Sequence, residues 1–447
     1  MTKPTLGIWA TTALVVGNIV GTGILMLPSS LAALGTAGIL GWFGTTIGAL
    51  FLALVFARLS RRFPKTGGPF AYTQYAFGDF VGFQMAWMYW TANWVSNAAV
   101  AIAFVSYLSI IYPQVATQPL VSLMLGLGAI WILTVLNLRG TQTFGRVQIF
   151  ITLLKLTPLG FIAIVGLPEI KSSNIFPLTP APGKDFLYVI SHGISLTLFS
   201  FMGLEAATIP AQDVKNPEKT ISRATIFGTL LAAVIYIWIN IVALGILGAD
   251  ALAQAQAPFA QIAEQLYGQN MGLIVAGFGA FAAFATLNGW ILLQGQIPMA
   301  AAQENLLPQI FATKNGQGVP WFSLVLSSTL ASILLSVNYT LDFVSQFTFI
   351  VNLTTFTVLL PYLYTSVADV ILLIESRKNA RKREIFRASL ISAGAFLYAL
   401  GAIYGNGRDI VFSGTLFTLM GVPFYVWARQ TKKSSYQWKQ ETSSLPQ

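Results

Sequence analysis

The chain of 447 residues is 55% hydrophobic and only 9% charged, with a mean hydropathy of +0.69 and a net charge of +10. A soluble globular domain carries about 25% charged residues, so this composition excludes a soluble protein and indicates a polytopic membrane protein. Cysteine is absent and His192 is the single histidine, which excludes disulfides, thiol nucleophiles and multi-histidine metal sites.

The apolar segments of the chain predict its organisation. The first of them has no small-residue cleavage site, so we interpret it as a first span and not as a removed signal peptide. Segments of about 20 apolar residues, the length that crosses a bilayer, recur along the chain. They predict twelve spans, at 8–34, 39–60, 81–112, 120–138, 147–168, 187–211, 223–248, 271–302, 321–338, 343–374, 387–405 and 410–428. Residues 1–447 therefore form a single transmembrane domain.

The basic residues follow this topology, so the positive charge does not call for a nucleic-acid partner. If the first span starts in the cytoplasm, all lysines and arginines lie on the cytoplasmic side except Lys171, Lys184 and Arg408 outside and Lys155 within a span. The positive-inside rule then predicts a multi-pass protein of the cytoplasmic (inner) membrane. Both termini, including the tail 429–447, are expected in the cytoplasm.

Two spans carry glycines and a proline where a continuous helix is expected. The first contains "GNIVGTGILMLPSS" (17–30), and the sixth contains "FMGLEA" (201–206) followed by Pro210. Glycines at one such place could simply let helices pack closely. Two interruptions separated by five spans instead indicate paired broken helices in two inverted halves, the arrangement that marks a transporter's substrate site. The predicted halves are 8–168 and 187–374, with additional helices at 387–428.

A broken helix leaves N–H groups unpaired at the start of its second half and C=O groups unpaired at the end of its first half. The amides of Gly21, Thr22 and Gly23, with the Thr22 hydroxyl, are therefore expected to bind a carboxylate. Carbonyls around Ile19 and Met202 are expected to accept hydrogen bonds from an ammonium. Together the two breaks suit the zwitterion of an α-amino acid.

Several motifs resemble one known family. They are "GNIVGTGILMLP", "GGPFAYTQYAFG" (67–78), "LTLFSFMGLEAAT" (196–208), "DVKNPEKTISRA" (213–224), "LNGWILLQGQ" (287–296) and "LLPYLYT" (359–365). As a set and in this order, they resemble the amino acid–polyamine–organocation superfamily, most closely its bacterial basic amino acid/polyamine antiporters such as the arginine/agmatine antiporter. The resemblance implies an all-α, leucine-transporter-type fold with twelve transmembrane helices, a five-plus-five inverted repeat with broken helices 1 and 6, and two further helices used in a homodimer.

The resemblance also implies roles for single residues at the substrate site. Thr22 matches the serine of the family's carboxylate clamp, and Asn97 matches the asparagine that contacts a guanidinium. Trp290 matches the tryptophan that packs on the substrate's aliphatic stem. Phe199 replaces a tryptophan that stacks on the guanidinium, and phenylalanine is the weaker cation–π partner. Three further positions match residues near the same group, namely Ala92, Asn93 and Thr354.

Each of these residues also has a structural interpretation. Trp290 and Phe199 could be packing or lipid-facing aromatics, which are common in spans. Asn97 could instead form an interhelical hydrogen bond. His192 is expected to have a structural role. Asp369, near the end of span 10, is expected to be a solvated charge.

Charged groups inside the membrane are functional by default. Tyr89, Glu205 and Tyr362 match gate residues of the antiporters. Glu205 could carry a proton or accept hydrogen bonds from the broken backbone. Lys155 departs from the arginine/agmatine antiporter and matches a lysine of other branches, whose ammonium takes the place of a sodium ion. Its role as proton carrier or as permanently charged strut stays open.

The sequence favours a secondary active transporter that works by alternating access. The phosphate-binding loop of ATP-driven proteins is missing, and one histidine without clustered carboxylates argues against a membrane hydrolase, so we expect no enzyme activity, cofactor or metal. Asn97 and Trp290 favour antiport of cationic amino acids or their amines (arginine, ornithine, lysine, agmatine or a polyamine). Phe199 and Lys155 keep small neutral amino acids as the alternative substrate. A sensor on a transporter fold is the second alternative.

Overall fold

The computed structural model describes residues 7–63, 68–140, 157, 159–205, 214–376 and 382–430. Lys155, Pro210 and half of the predicted span 147–168 lie outside these residues, as do residues 206–211 of the predicted sixth span. The α-helices of the described residues, in chain order, are α1 (Ile8–Ile19), α2 (Gly23–Ala32), α3 (Leu40–Arg62), α4 (Pro69–Phe77), α5 (Asp79–Ile111), α6 (Gln114–Thr117), α7 (Pro119–Leu138), α8 (159–165), α9 (Ser172–Ile175), α10 (Phe186–Leu198), α11 (Pro217–Leu247), α12 (Ala249–Gln254), α13 (Pro258–Tyr267), α14 (Gln269–Gln303), α15 (Trp321–Asn338), α16 (Phe343–Ser376), α17 (Lys382–Gly405), α18 (Arg408–Met420) and α19 (422–430).

These helices are those of a membrane protein. Among the described residues, eight helices are long and apolar enough to cross a bilayer. Three shorter apolar helices accompany them, at Gly23–Ala32, Phe186–Phe201 and Trp321–Val337. The all-α class and the multi-pass architecture predicted from the sequence are confirmed, and the boundaries of the described spans lie close to the predicted ones.

Burial separates the centre of the bundle from its edge. In the most apolar stretch of α5, 78% of the residues are buried, compared with 28% in Lys382–Gly405 and 17% in Arg408–Gln430. A helix that is apolar all round belongs in the interior, and α5 packs along both α14 and α16. The last helices therefore lie at the periphery, with most of their apolar side chains facing outward.

Close packing by glycine fixes the first half of the sixth span against α3. A Cβ atom on Gly41 would lie 2.6 Å from the carbonyl oxygen of Gly193, so only glycine permits this approach of the two backbones. One turn further on, the hydroxyls of Thr45 and Thr197 lie 2.6 Å apart. His192 Nδ1 lies 2.7 Å from the Gly405 carbonyl oxygen, which fits the structural role expected for it.

Asp369 does not have the solvated environment expected from the sequence. Its side chain is fully buried, and its Oδ2 atom accepts hydrogen bonds from Arg58 Nη2 at 2.5 Å and from Ser392 Oγ at 2.8 Å. The expectation is wrong because it considered only the position of Asp369 along its own span. Arg58 comes from α3 and Ser392 from α17, so the pair joins three helices at one level.

Breaking this ion pair from one side should destabilise the protein strongly. Asp369→Ala leaves the largely buried Arg58 guanidinium without its carboxylate, and we expect a loss of about 3 kcal/mol in the free energy of unfolding. Replacing both charges, in Arg58→Met/Asp369→Leu, should cost less than the single change because no uncompensated charge remains. The measurement is denaturant or thermal unfolding in detergent. A double variant less stable than Asp369→Ala would contradict this account.

Candidate functional site

The first broken helix opens between α1 and α2. The chain leaves helical geometry at Val20 (φ −73°, ψ 82°), and the Gly21 amide donates to the Ile19 carbonyl oxygen at 2.8 Å. Helix α2 begins at Gly23, and the Leu25 N–H donates to the Thr22 carbonyl oxygen at 3.0 Å. The N–H groups before it, at the start of the helix, have no acceptors in a preceding helical turn. The predicted break is therefore present. The Gly21 amide, which was expected to be available to a carboxylate, is already used within the break.

The second break follows α10. The helix tightens to a 3₁₀ turn at Phe199–Phe201, and Met202 is extended, with ψ 135°. Gly203 has φ +95°, a conformation that favours glycine and explains its place in the sequence. Both predicted interruptions are thus departures from helical geometry, one after α1 and one after α10.

Tyr236 of α11 joins the two breaks. Its hydroxyl lies 2.7 Å from the Ile19 carbonyl oxygen and 3.2 Å from the Ser200 carbonyl oxygen. Its ring stacks on Trp42 with the centroids 4.8 Å apart. Sequence reasoning missed Tyr236 because nothing in its own span marks it. Its hydroxyl and the Gly21 amide both donate to the Ile19 carbonyl oxygen, which was expected to accept hydrogen bonds from an ammonium.

A small cavity lies between the two breaks and helices α5 and α14. Seven of the residues predicted to bind substrate line it, namely Ile19, Gly21, Thr22, Gly23, Phe199, Met202 and Trp290. Three lining residues were not predicted, namely Ser96, Val100 and Ser200. The cavity volume is about 20 Å³, room for one or two water molecules. An amino acid or diamine could enter only if the surrounding helices moved apart.

The polar groups at this cavity come mainly from the two breaks. Among the described residues, neither Thr22 Oγ1 nor Ser200 Oγ has a hydrogen-bond partner, although both atoms are buried. A Cβ atom on Gly23 would overlap the Ser200 hydroxyl, whereas one on Gly21 would make an ordinary contact of 3.5 Å with Thr286. Glycine at position 23 therefore makes room for the Ser200 hydroxyl beside the start of α2.

The aromatic and aliphatic side chains complete the lining. Phe199 is buried and packs edge to face on Phe347, with the ring centroids 5.8 Å apart. Trp290 is half-buried on α14, and Val100 lies on α5. Among the described residues that line the cavity, none carries a charge. A cationic group here would meet aromatic faces and polar oxygens instead of a carboxylate.

Four of the predicted binding residues do not line the cavity. Ala92 and Asn93 are buried on α5. Asn97 donates from Nδ2 to Gln294 Oε1 at 2.6 Å, and Thr354 donates to the Ile350 carbonyl oxygen of its own helix at 2.8 Å. Their contacts with a substrate stay predictions.

The three predicted gate residues do lie together. The Tyr89 hydroxyl donates to Glu205 Oε1 at 2.5 Å, and the Tyr362 hydroxyl donates to Glu205 Oε2 at 2.8 Å. One buried carboxylate thus connects α5, the second break and α16. Whether Glu205 carries a proton or serves the broken backbone stays a prediction.

Comparison with known proteins gives consistent matches. A family model described as amino acid permease matches residues 6–428. The chain is 34% identical over 323 residues, 72% of each chain, to a cadaverine/lysine antiporter of Escherichia coli. It is 29% identical over 420 residues to a putrescine transporter of Haemophilus influenzae, covering 94% of this chain and 96% of that protein. The names of these relatives refer to diamines and lysine, not to arginine or agmatine.

The bridge formed by Tyr236 should contribute to stability. Tyr236→Phe keeps the ring on Trp42 but removes the hydroxyl, which leaves the buried Ser200 carbonyl without this donor. We expect a loss of about 1–3 kcal/mol in the free energy of unfolding, measured in detergent. Tyr404→Phe, at a side chain 73% exposed, is the matched control and should change little. Equal stability of the two variants would contradict a bridging role.

Proposed function

This chain belongs to the amino acid permease family of the amino acid–polyamine–organocation superfamily, as its motifs predicted, and we propose that it is a secondary active antiporter that exchanges a cationic amino acid for a related amine. The observation that carries the proposal is the cavity between the two breaks, which has aromatic faces and, among the described residues, two hydroxyls without partners and no charged lining residue. Relatives named for lysine, cadaverine and putrescine support the choice of substrate class.

The carboxylate of the amino acid would bind at the start of α2. That helix has ten residues, and the partial positive charge at its N-terminus favours an anion. The hydroxyls of Thr22 and Ser200 are further donors beside it. A diamine lacks this carboxylate, so it would use the site without the α2 contact and would depend more on the rest of the cavity.

The α-ammonium and the side chain would use the opposite part of the cavity. The Ile19 carbonyl is already engaged by Tyr236 and Gly21, so the Met202 region is the better acceptor for an ammonium. Phe199 and Trp290 would enclose the aliphatic stem, and their ring faces attract a cation. An elongated cationic molecule with an apolar stem matches this combination.

Alternating access would require the Glu205 cluster to open. The second break, α5 and α16 are held together by one carboxylate and two tyrosine hydroxyls. A substrate needs more room than the cavity has, so binding and release must be coupled to movement of the broken segments against α5 and α14. Breaking and remaking the bonds of Tyr89 and Tyr362 to Glu205 is the gating step of this proposal.

The finer architecture is part of the same proposal. We assign twelve spans, with inverted repeats at 8–168 and 187–374, both termini in the cytoplasm and a homodimer formed through the helices at 387–428. The weak burial of the last two helices supports a partner or lipid on that side. Lys155 is proposed to take the place of a sodium ion, so transport should not require sodium.

Counterflow in proteoliposomes tests the substrate class. Vesicles containing the purified protein and unlabelled lysine should accumulate radiolabelled lysine, whereas vesicles without internal substrate should not. Ornithine, arginine and cadaverine should compete at least about tenfold better than alanine or serine, because only the cations gain the aromatic contacts. Replacing sodium with choline should leave the rate unchanged.

Three results would contradict the proposal in different ways. Preference for alanine or serine would identify an exchanger of small neutral amino acids. Substrate binding without any flux would identify a sensor. A requirement for sodium would refute the assignment of Lys155 as an ion substitute.

Gly23 and Gly128 should respond differently to the same substitution. In Gly23→Ala the new methyl group displaces the Ser200 hydroxyl, so we expect the half-saturating lysine concentration to rise about tenfold, the effect of losing one hydrogen bond to a charged group. Gly128→Ala adds the same methyl group on α7, where no atom of another described helix lies within 4 Å of it, and serves as the control. Equal affinities in the two variants would move the carboxylate site elsewhere.

A further inference from the structure

A chain of buried hydrogen bonds runs across four helices beside the cavity. Asn97 Nδ2 of α5 donates to Gln294 Oε1 of α14 at 2.6 Å, and Gln294 Nε2 donates to Ser328 Oγ of α15 at 2.7 Å. The Ser328 hydroxyl lies 2.7 Å from the Thr134 hydroxyl of α7, and Thr134 donates to the Ile130 carbonyl oxygen at 2.7 Å. The side chains of Asn97, Gln294, Ser328 and Thr134 are all fully buried.

The bond from Thr134 to the Ile130 carbonyl determines which group donates in every other hydrogen bond of this chain. The Ile130 carbonyl can only accept, so the single hydroxyl hydrogen of Thr134 is used there. The Ser328 hydroxyl must then donate to Thr134 and accept from Gln294. Gln294 consequently turns its NH₂ group to Ser328 and its carbonyl oxygen to Asn97, and the opposite orientation of its amide would place like groups against each other.

This direction determines which atom of Asn97 remains available. Its NH₂ group is used on Gln294, and its Oδ1 atom is buried without a hydrogen-bond partner among the described residues. A buried acceptor without a partner is costly. A carbonyl oxygen held in this way binds an ammonium or guanidinium and disfavours a carboxylate.

The pair of amides lies one helical turn from the cavity on two different helices. Asn97 precedes the lining residue Val100 by three positions on α5, and Gln294 follows the lining residue Trp290 by four positions on α14. Residues at these spacings share one face of a helix, and one turn measures about 5.4 Å. The side chain of a long substrate extending from the cavity along these helices would reach the Asn97 amide.

We propose that Gln294 is a positioning residue that determines specificity for a cationic side chain, because it holds the Asn97 amide with its oxygen available to the cation. The inference rests on the proposed function, since it requires a long cationic substrate in the cavity. It adds to that function the group that orients Asn97. Gln294 itself is not assigned a contact with the substrate.

Competition by lysine and norleucine tests the role of Gln294. Norleucine has the same carbon chain to Cε and lacks the ammonium, so the ratio of their half-inhibitory concentrations in lysine counterflow reports recognition of the side-chain cation alone. In Gln294→Met the Asn97 amide loses its fixed orientation. The preference for lysine over norleucine should fall about 10- to 100-fold, the effect of losing one hydrogen bond to a charged group. The half-inhibitory concentration of norleucine should not change.

A second variant changes the same chain of hydrogen bonds at a residue further from the Asn97 amide. Ser328→Ala removes the acceptor of Gln294 Nε2 and frees that amide to turn, so the preference for lysine should fall in the same direction. Thr329→Val is the matched control, because among the described residues the Thr329 hydroxyl bonds only to the Val325 carbonyl of its own helix. This control should retain the preference of the parent protein.

The outcomes separate the inference from the function it rests on. A parent protein with no preference for lysine over norleucine would overturn both. A parent that prefers lysine, with variants that keep its ratio, would overturn the inference and leave the function standing. Equal weakening of lysine and norleucine in Gln294→Met and Ser328→Ala would also overturn it, because Gln294 would then serve only to hold the helices together.

Discussion

Hydrocarbon offers no hydrogen bonds to a peptide group, so backbone that leaves the helical pattern at membrane depth must find its partners within the protein. The residues 20–22 and 202–205 depend on this constraint. Tyr236 supplies a hydroxyl to the carbonyls at both breaks, and the Glu205 carboxylate at the second break accepts the hydroxyls of Tyr89 and Tyr362. The position of α11 follows from the need to satisfy these carbonyls. Atoms left over after these bonds, chiefly the Thr22 and Ser200 hydroxyls and the start of α2, are what the cavity can offer a ligand.

The groups that satisfy the breaks also connect helices that alternating access would separate. Glu205 links the second break to α5 and α16, whereas Tyr236 links the first break to the second. Packing of Gly41 against Gly193 holds the first half of the sixth span against α3. These contacts differ in how readily they can be exchanged. A hydroxyl–carboxylate bond can be replaced by another donor, but a glycine-mediated backbone contact has no substitute, so movement should occur at the Glu205 cluster and not at the α3–α10 contact.

The sequence predicted those parts of the site that depend on residues close together in the chain. Glycines and prolines at unusual depth predicted both breaks. The breaks and the motif match together predicted most of the cavity lining, and the motif match singled out Glu205 and its two tyrosines as gate residues. Tyr236, Gln294 and the burial of Asp369 were not foreseen, because each depends on partners from distant spans. In an apolar span, a tyrosine or glutamine has no periodic pattern that distinguishes a structural hydrogen bond from a lipid-facing position. The partners of such residues become apparent only when the helices are packed.

The Arg58–Asp369 pair has a consequence for how the protein is made. Its members are 311 positions apart, so during synthesis Arg58 reaches the membrane long before its carboxylate partner exists. Arg58 lies four residues before the end of α3, where a long basic side chain can extend to the membrane surface while it waits. Asp369 is inserted later, with α16, and only then can the ion pair form. The pair would thus form late in membrane insertion. The contact of α3 with α16 and α17 would not be stabilised by this ion pair until the second half of the protein has been inserted.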